Sequence, residues 1–171
     1  ITNYTYFASS YTIDKDFNRL GNTVKVNQSG GAINLITASL SQDFTLGPLN
    51  WENVITYQKS SNNDVIPVPD LNIYSNLYLR FKIAHVLKCD FGTDVRYFTE
   101  YYAPEYSPAL GQYTVQTNTS TSSGTDSRVN IGNYPIVNVY ANFHLKHTRF
   151  FIMMSHVNAA NGNKDYFLTP H

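Results

Sequence analysis

Hydrophobic and polar positions alternate with a period of two along much of this chain, most clearly from Asn72 to Tyr101. In Asn72–Ala84, Ile73, Ser75, Leu77, Leu79, Phe81 and Ile83 fall on one side, and Tyr74, Asn76, Tyr78, Arg80, Lys82 and Ala84 on the other. Successive side chains of a β-strand point to opposite faces, so the pattern predicts a two-faced strand. Cys89–Tyr101 repeats it, with Phe91, Thr93, Val95 and Tyr97 against Asp90, Asp94, Arg96 and Glu100, and His85–Lys88 joins the pair. Strands of about 12 residues span roughly 40 Å at about 3.3 Å per residue. Soluble strands cluster near 5 or 6 residues, whereas a strand crossing a bilayer takes about 9 to 11.

The same period predicts further strands at Thr2–Ser10, Ala32–Phe44, Leu49–Lys59, Pro135–Leu145 and Arg149–Val157, about seven in all. Leu49, Trp51, Ile55 and Tyr57 oppose Glu52, Thr56 and Gln58; Val137, Val139, Ala141, Phe143 and Leu145 oppose Asn138, Tyr140, Asn142 and His144. Phe150, Ile152 and Met154 form the apolar side of the last strand. Tyr11–Gly31 reads as a polar loop, and Tyr102–Tyr134, with Pro104, Pro108 and the low-complexity run Thr117–Asp126, as the longest irregular stretch. Connections thus alternate between long (11–31, 60–71, 102–134, 158–171) and short (45–48, 85–88, 146–148). Outer-membrane barrels place short turns on the periplasmic side and long loops outside. On that reading Asp64, Ser122 and Asn161 are external.

Composition supports an all-β membrane reading. Charged residues make up only 14% of the 171 residues and aromatics 15%, with fourteen Tyr and ten Phe. Low charge with abundant Tyr suits a lipid-facing barrel with aromatic girdles, and also fits a soluble glycan-binding β-sandwich. The formal net charge is zero, which gives nucleic acid no basic surface. The single Cys89 excludes an internal disulfide. No apolar run reaches the roughly 18 residues of a membrane helix, and the chain begins and ends within the pattern, which predicts one barrel segment, 1–171, cut from a longer chain at both ends.

Charges on the polar sides then acquire a meaning. Glu52, Arg80, Lys82, Asp90, Asp94, Arg96 and Glu100 cannot face lipid, where a Lys or Arg at the midplane costs about 2 to 4 kcal/mol. They are the candidate pore lining, and their mixed signs predict weak ion preference, or else a salt-bridged plug. Tyr74 and Tyr78 share this side. Trp51, Tyr57, Tyr97 and Tyr101 lie on apolar sides near strand ends and are the candidate aromatic girdle. Lys59 also falls on an apolar side, at a strand end where it can snorkel.

Other chemistry finds little support. His85, His144, His147, His156 and His171 form no HExxH pair, and no second cysteine completes a zinc cluster. Asp14, Asp16 and Asn18 begin like a calcium loop, but Arg19 and Lys25 stand where glycine and glutamate are required. Ser155 and His156 are adjacent on a strand and diverge, and nothing supports a triad through Ser123 and Asp126. Neither a catalytic residue nor a metal or cofactor is expected.

Several segments in order resemble the putative porin family of Bacteroidota outer membranes: FTLGPLNWENVITYQK, VIPVPDLNIYSNLYLRF, GTDVRYFTEYYAPEYSPALGQY, NYPIVNVYANFHLKHTRFFIMMSHVN and the terminal YFLTPH. The likeness covers most of residues 31–171 and implies the C-terminal part of a barrel, with one further membrane strand following YFLTPH in that family. It implies a pore-forming role and transfers no catalytic residue. The expectation is an antiparallel transmembrane β-barrel of a Gram-negative outer membrane, passing small hydrophilic solutes and in contact with outer-membrane lipid. A non-conducting barrel subunit bound to other envelope proteins, and the soluble sandwich, are the alternatives. Strand number, solute and oligomeric state are not encoded in the pattern.

Overall fold

The structure, a computed structural model, describes residues 1–13, 19–118 and 128–159. The positions Asp14, Asp16, Asn18, Ser122, Ser123, Asp126, Asn161 and His171, and most of the low-complexity run, lie outside the described residues. Ten strands are formed: β1 Tyr4–Ile13, β2 Arg19–Ser29, β3 Leu35–Leu46, β4 Leu49–Ser60, β5 Leu71–Ile83, β6 Leu87–Phe98, β7 Glu105–Ser107, β8 Gln112–Gln116, β9 Ile136–Leu145 and β10 Thr148–Met154. No helix occurs among the described residues.

Six strands build one antiparallel sheet in the order β10-β9-β6-β5-β4-β3. Each is joined to its neighbour in sequence, except that the link from β6 to β9 carries β7 and β8. The three tight turns lie at one end of this sheet. Leu46 pairs with Leu49 around Gly47-Pro48, where Gly47 has φ +59°, the left-handed conformation a two-residue hairpin turn demands and only glycine adopts freely. Ile83 pairs with Leu87 across Ala84–Val86, and Leu145 with Thr148 across Lys146-His147. The long connections all leave from the opposite end, as the alternation of loop lengths predicts.

That opposite end is more ordered than the sequence suggests. The stretch read as a polar loop contains β2, antiparallel to β1, and the stretch read as irregular contains the β7–β8 hairpin. They join in a second sheet of order β2-β1-β8-β7, in which β1 and β8 run parallel through Ala8–Val115 and Ser9–Gln116. Backbone bonds between Ile1, just before β1, and Ile33, just before β3, tie it to the large sheet. Ala8, Ile33, Val65, Ala103, Ile131 and Tyr134 are buried here, so the conventional core sits in the loop-end cap.

The large sheet has no such core. Its two faces are sorted by period two, with Phe44, Trp51, Leu77, Thr93 and Val139 in register across one face. Leu79, Phe81, Phe91, Phe143, Phe150 and Ile152 share that face, and most of its large side chains are exposed, Ile152 to 69% and Trp51 to 46%. A sandwich would cover this face with its second sheet; among the described residues nothing covers it. A contiguous apolar face of this kind is rare on a monomer in water. Both edge strands, β3 and β10, are exposed along their whole length and, among the described residues, have a free edge in this sheet. The six strands form an open sheet and not the closed barrel expected.

Candidate functional site

The polar face of the large sheet carries a connected set of side chains. Glu52 on β4 accepts from the Tyr78 hydroxyl at 2.8 Å and from the Asn76 amide at 3.3 Å. Tyr140, two strands away on β9, donates from its hydroxyl to Asn76 Oδ1 at 2.9 Å. It can reach because the residue between is Gly92: Tyr78, Gly92 and Tyr140 are directly opposed across β5, β6 and β9. A Cβ on Gly92 would lie 2.6 Å from the Tyr140 hydroxyl and 2.7 Å from Tyr78 Cβ. The network ends on a carboxylate, and bonds to an ionised acceptor are the stronger kind.

Ion-pair and amide contacts flank it. Arg80 forks onto Asp90, with Nε at 2.9 Å and Nη2 at 3.4 Å, and its guanidinium lies 5.0 Å from the Tyr78 ring centroid. Asp94 accepts from the Asn138 amide at 3.0 Å and faces Arg96 Nε at 3.5 Å. Asn138 Oδ1 accepts the His156 backbone N–H at 2.9 Å, which draws the segment after β10 onto this face. Toward the loop end a cavity of about 690 Å³ opens among Tyr74, Arg96, Asn138, Ile136, Val54 and His156. The arrangement is polar, aromatic and half-buried. Among the described residues no group of three His, Cys, Asp or Glu side chains could hold a metal.

Of the candidate lining residues, Glu52, Arg80, Lys82, Asp90, Asp94 and Arg96 share this face by register. Glu100 does not. β6 ends at Phe98 because its partner β5 begins at Leu71, with Asn72 opposite Phe98. Glu100 is exposed beside a separate cavity of about 340 Å³ with Tyr101, Tyr102 and Asp64.

Of the aromatic candidates, Trp51, Tyr57 and Tyr97 lie on the apolar face. Trp51 is near the tight-turn end, 5.7 Å from the Phe44 ring, and donates to Ser75 Oγ at 2.8 Å. Tyr57 and Tyr97 are near the loop end, where the Tyr97 hydroxyl donates to Asn133 Oδ1 at 2.7 Å. Tyr101 is no part of a strand face: it bridges to Ile131 and packs edge-on to Phe98. Burial pushes its phenol above the ordinary tyrosine range. Lys59 pairs with Asp70 at 2.8 Å.

Fold and site together define an all-β protein whose main sheet has one apolar and one polar, hydrogen-bonded face. The family described as "Putative porin" matches residues 1–171, the whole chain, and the protein belongs to that family. Neither a curated protein nor a solved structure matches the chain significantly.

Proposed function

We propose that this chain forms part of an outer-membrane β-barrel in a Gram-negative cell envelope, and that the barrel lets small hydrophilic solutes diffuse across. The observation that carries the reading is the sorted, uncovered main sheet: β3, β4, β5, β6 and β9 have 10 to 13 residues each, with exposed aliphatic and aromatic side chains on one face and charges on the other. Lipid takes the apolar face; water takes Glu52, Arg80, Lys82, Asp90, Asp94 and Arg96. Trp51, Tyr57 and Tyr97 sit at the two lipid–water boundaries. In hydrocarbon an unpaired strand edge costs several kcal/mol per group, so spanning sheets close. The free edges of β3 and β10 are therefore paired, in the membrane, by strands beyond these six. The tight turns face the periplasm and the cap faces outward.

The test is reconstitution of the full protein into planar bilayers. Stepwise conductance supports the pore. A second reading, a non-conducting barrel subunit, draws on the Tyr140–Asn76–Glu52 network, which crosses the polar face and narrows any passage over it. A folded, membrane-inserted protein without conductance favours that second reading.

A further inference from the structure

Lys82, Lys88, His144 and Arg149 stand directly opposite one another in turn across β5, β6, β9 and β10. All four are exposed, on the polar face, and among the described residues none is in an ion pair. The adjacent carboxylate, Asp90, is already held by the Arg80 fork. Side chains opposed in this way have Cβ atoms about 5 Å apart, and the like charges of Lys82 and Lys88 so placed repel, with Arg149 two strands further on. The cost falls when an anion sits between them.

The position favours capture. Arg80 N–H already donates to Pro48 O, level with the β3–β4 turn, so the row lies beyond it at the tip of the sheet. No acidic residue occurs in 81–89 or 143–155, whereas His85, Lys146 and His147 add cationic and titratable groups to the adjoining turns. Apart from Asp90, which Arg80 holds, the acidic positions of the face, Asp43, Glu52 and Asp94, lie in the row through Asn76, and from Asn76 to Lys82 β5 rises about 20 Å. Charges that balance in the sequence are thus sorted lengthwise, basic at the tight-turn tip and acidic further in, with the Arg80–Asp90 and Arg96–Asp94 pairs on the same face.

We propose that Lys82, Lys88, His144 and Arg149 form a binding row for phosphate-type oxyanions at the tight-turn mouth, and that the pore prefers anionic solutes. The solute preference rests on the pore reading above; the binding row does not. Ammonium and guanidinium groups match phosphate oxygens in charge and in donors, and a row of one sign raises the local anion concentration.

Two readouts test it on the full protein. In planar bilayers of zwitterionic lipid in potassium chloride, inorganic phosphate added on the tight-turn side blocks the current. The Lys82→Gln, Lys88→Gln, Arg149→Gln variant weakens that block roughly tenfold or more, read as the phosphate concentration that halves each protein's own current. Independently, in zwitterionic detergent, phosphate protects Lys82 and Lys88 from an amine-acylating reagent, read by mass spectrometry against chloride of equal ionic strength. A third arm uses vesicles containing anionic phospholipid without phosphate; protection there alone assigns the same oxyanion chemistry to a lipid headgroup and removes the solute preference. Equal acylation in all three arms overturns the row. Conductance without phosphate block overturns the solute preference, and absent conductance with phosphate protection overturns the pore reading while retaining the row.

Discussion

Tyr140 lies across Gly92. Its hydroxyl passes over the bare backbone of β6 to reach Asn76 on β5, at 2.9 Å, through the space a Cβ would fill 2.6 Å from that hydroxyl. One missing side chain therefore lets an aromatic residue link strands that are not neighbours.

Gly92→Ala must displace Tyr140 and crowd Tyr78 Cβ, which is anchored to the backbone at 2.7 Å. Overpacking of this kind costs about 1 to 3 kcal/mol. Tyr140→Phe keeps the ring and loses only the hydrogen bond, about 1 kcal/mol. The urea midpoint for unfolding in detergent, read by tryptophan fluorescence, orders the three proteins as wild type, Tyr140→Phe, Gly92→Ala. Gly92→Ala at the wild-type midpoint contradicts the close approach.

Glu52 is where that network ends. Tyr78 and Asn76 are buried, 7% and 9% exposed, and both donate to it. Glu52→Ala leaves two buried donors without their acceptor, at about 1 to 3 kcal/mol. Glu52→Gln retains an acceptor oxygen and loses less. The same unfolding assay reads the difference, and equal loss in the two variants contradicts a hydrogen-bonding role.

Topology follows from the ends of the sheet. The β7–β8 turn at Leu110-Gly111 belongs to the loop-end cap, whereas Lys146-His147 closes β9 and β10 at the tight-turn end. An epitope inserted between Leu110 and Gly111 is detected on intact cells; one inserted between Lys146 and His147 is detected only after permeabilisation. The reverse pattern inverts the assigned sides.

The long hairpins were legible because one residue in two is apolar over a dozen positions, and no other element tolerates that pattern. Observed bounds for β4, β5, β6 and β9 lie within about three residues of those predicted, the usual scatter of element ends. β2 was missed although Val24 and Val26 alternate with Thr23, Lys25 and Asn27; its polar neighbours hid a strand that is held by pairing with β1 rather than by burial. Glu100 and Tyr101 continue the alternation of β6, but a strand ends where its partner ends, and Leu71 is not visible as that limit from the sequence of β6. The Tyr140–Asn76 bond needed register. Period two places both on polar sides, yet only the alignment of β5, β6 and β9 shows that Gly92 lies between them. For the same reason the basic row, split among four strands, could not be told from scattered charges.

The central claim is that adjacent residues of β5 meet different solvents, Leu79 meeting lipid and Arg80 water. Single cysteines at Leu79→Cys and Arg80→Cys, in the full protein with the buried Cys89 replaced by alanine, test it in native membranes. Leu79→Cys reacts with a lipid-soluble maleimide and resists a charged thiosulfonate, and Arg80→Cys does the opposite. Equal labelling of the two sites by both reagents contradicts the account.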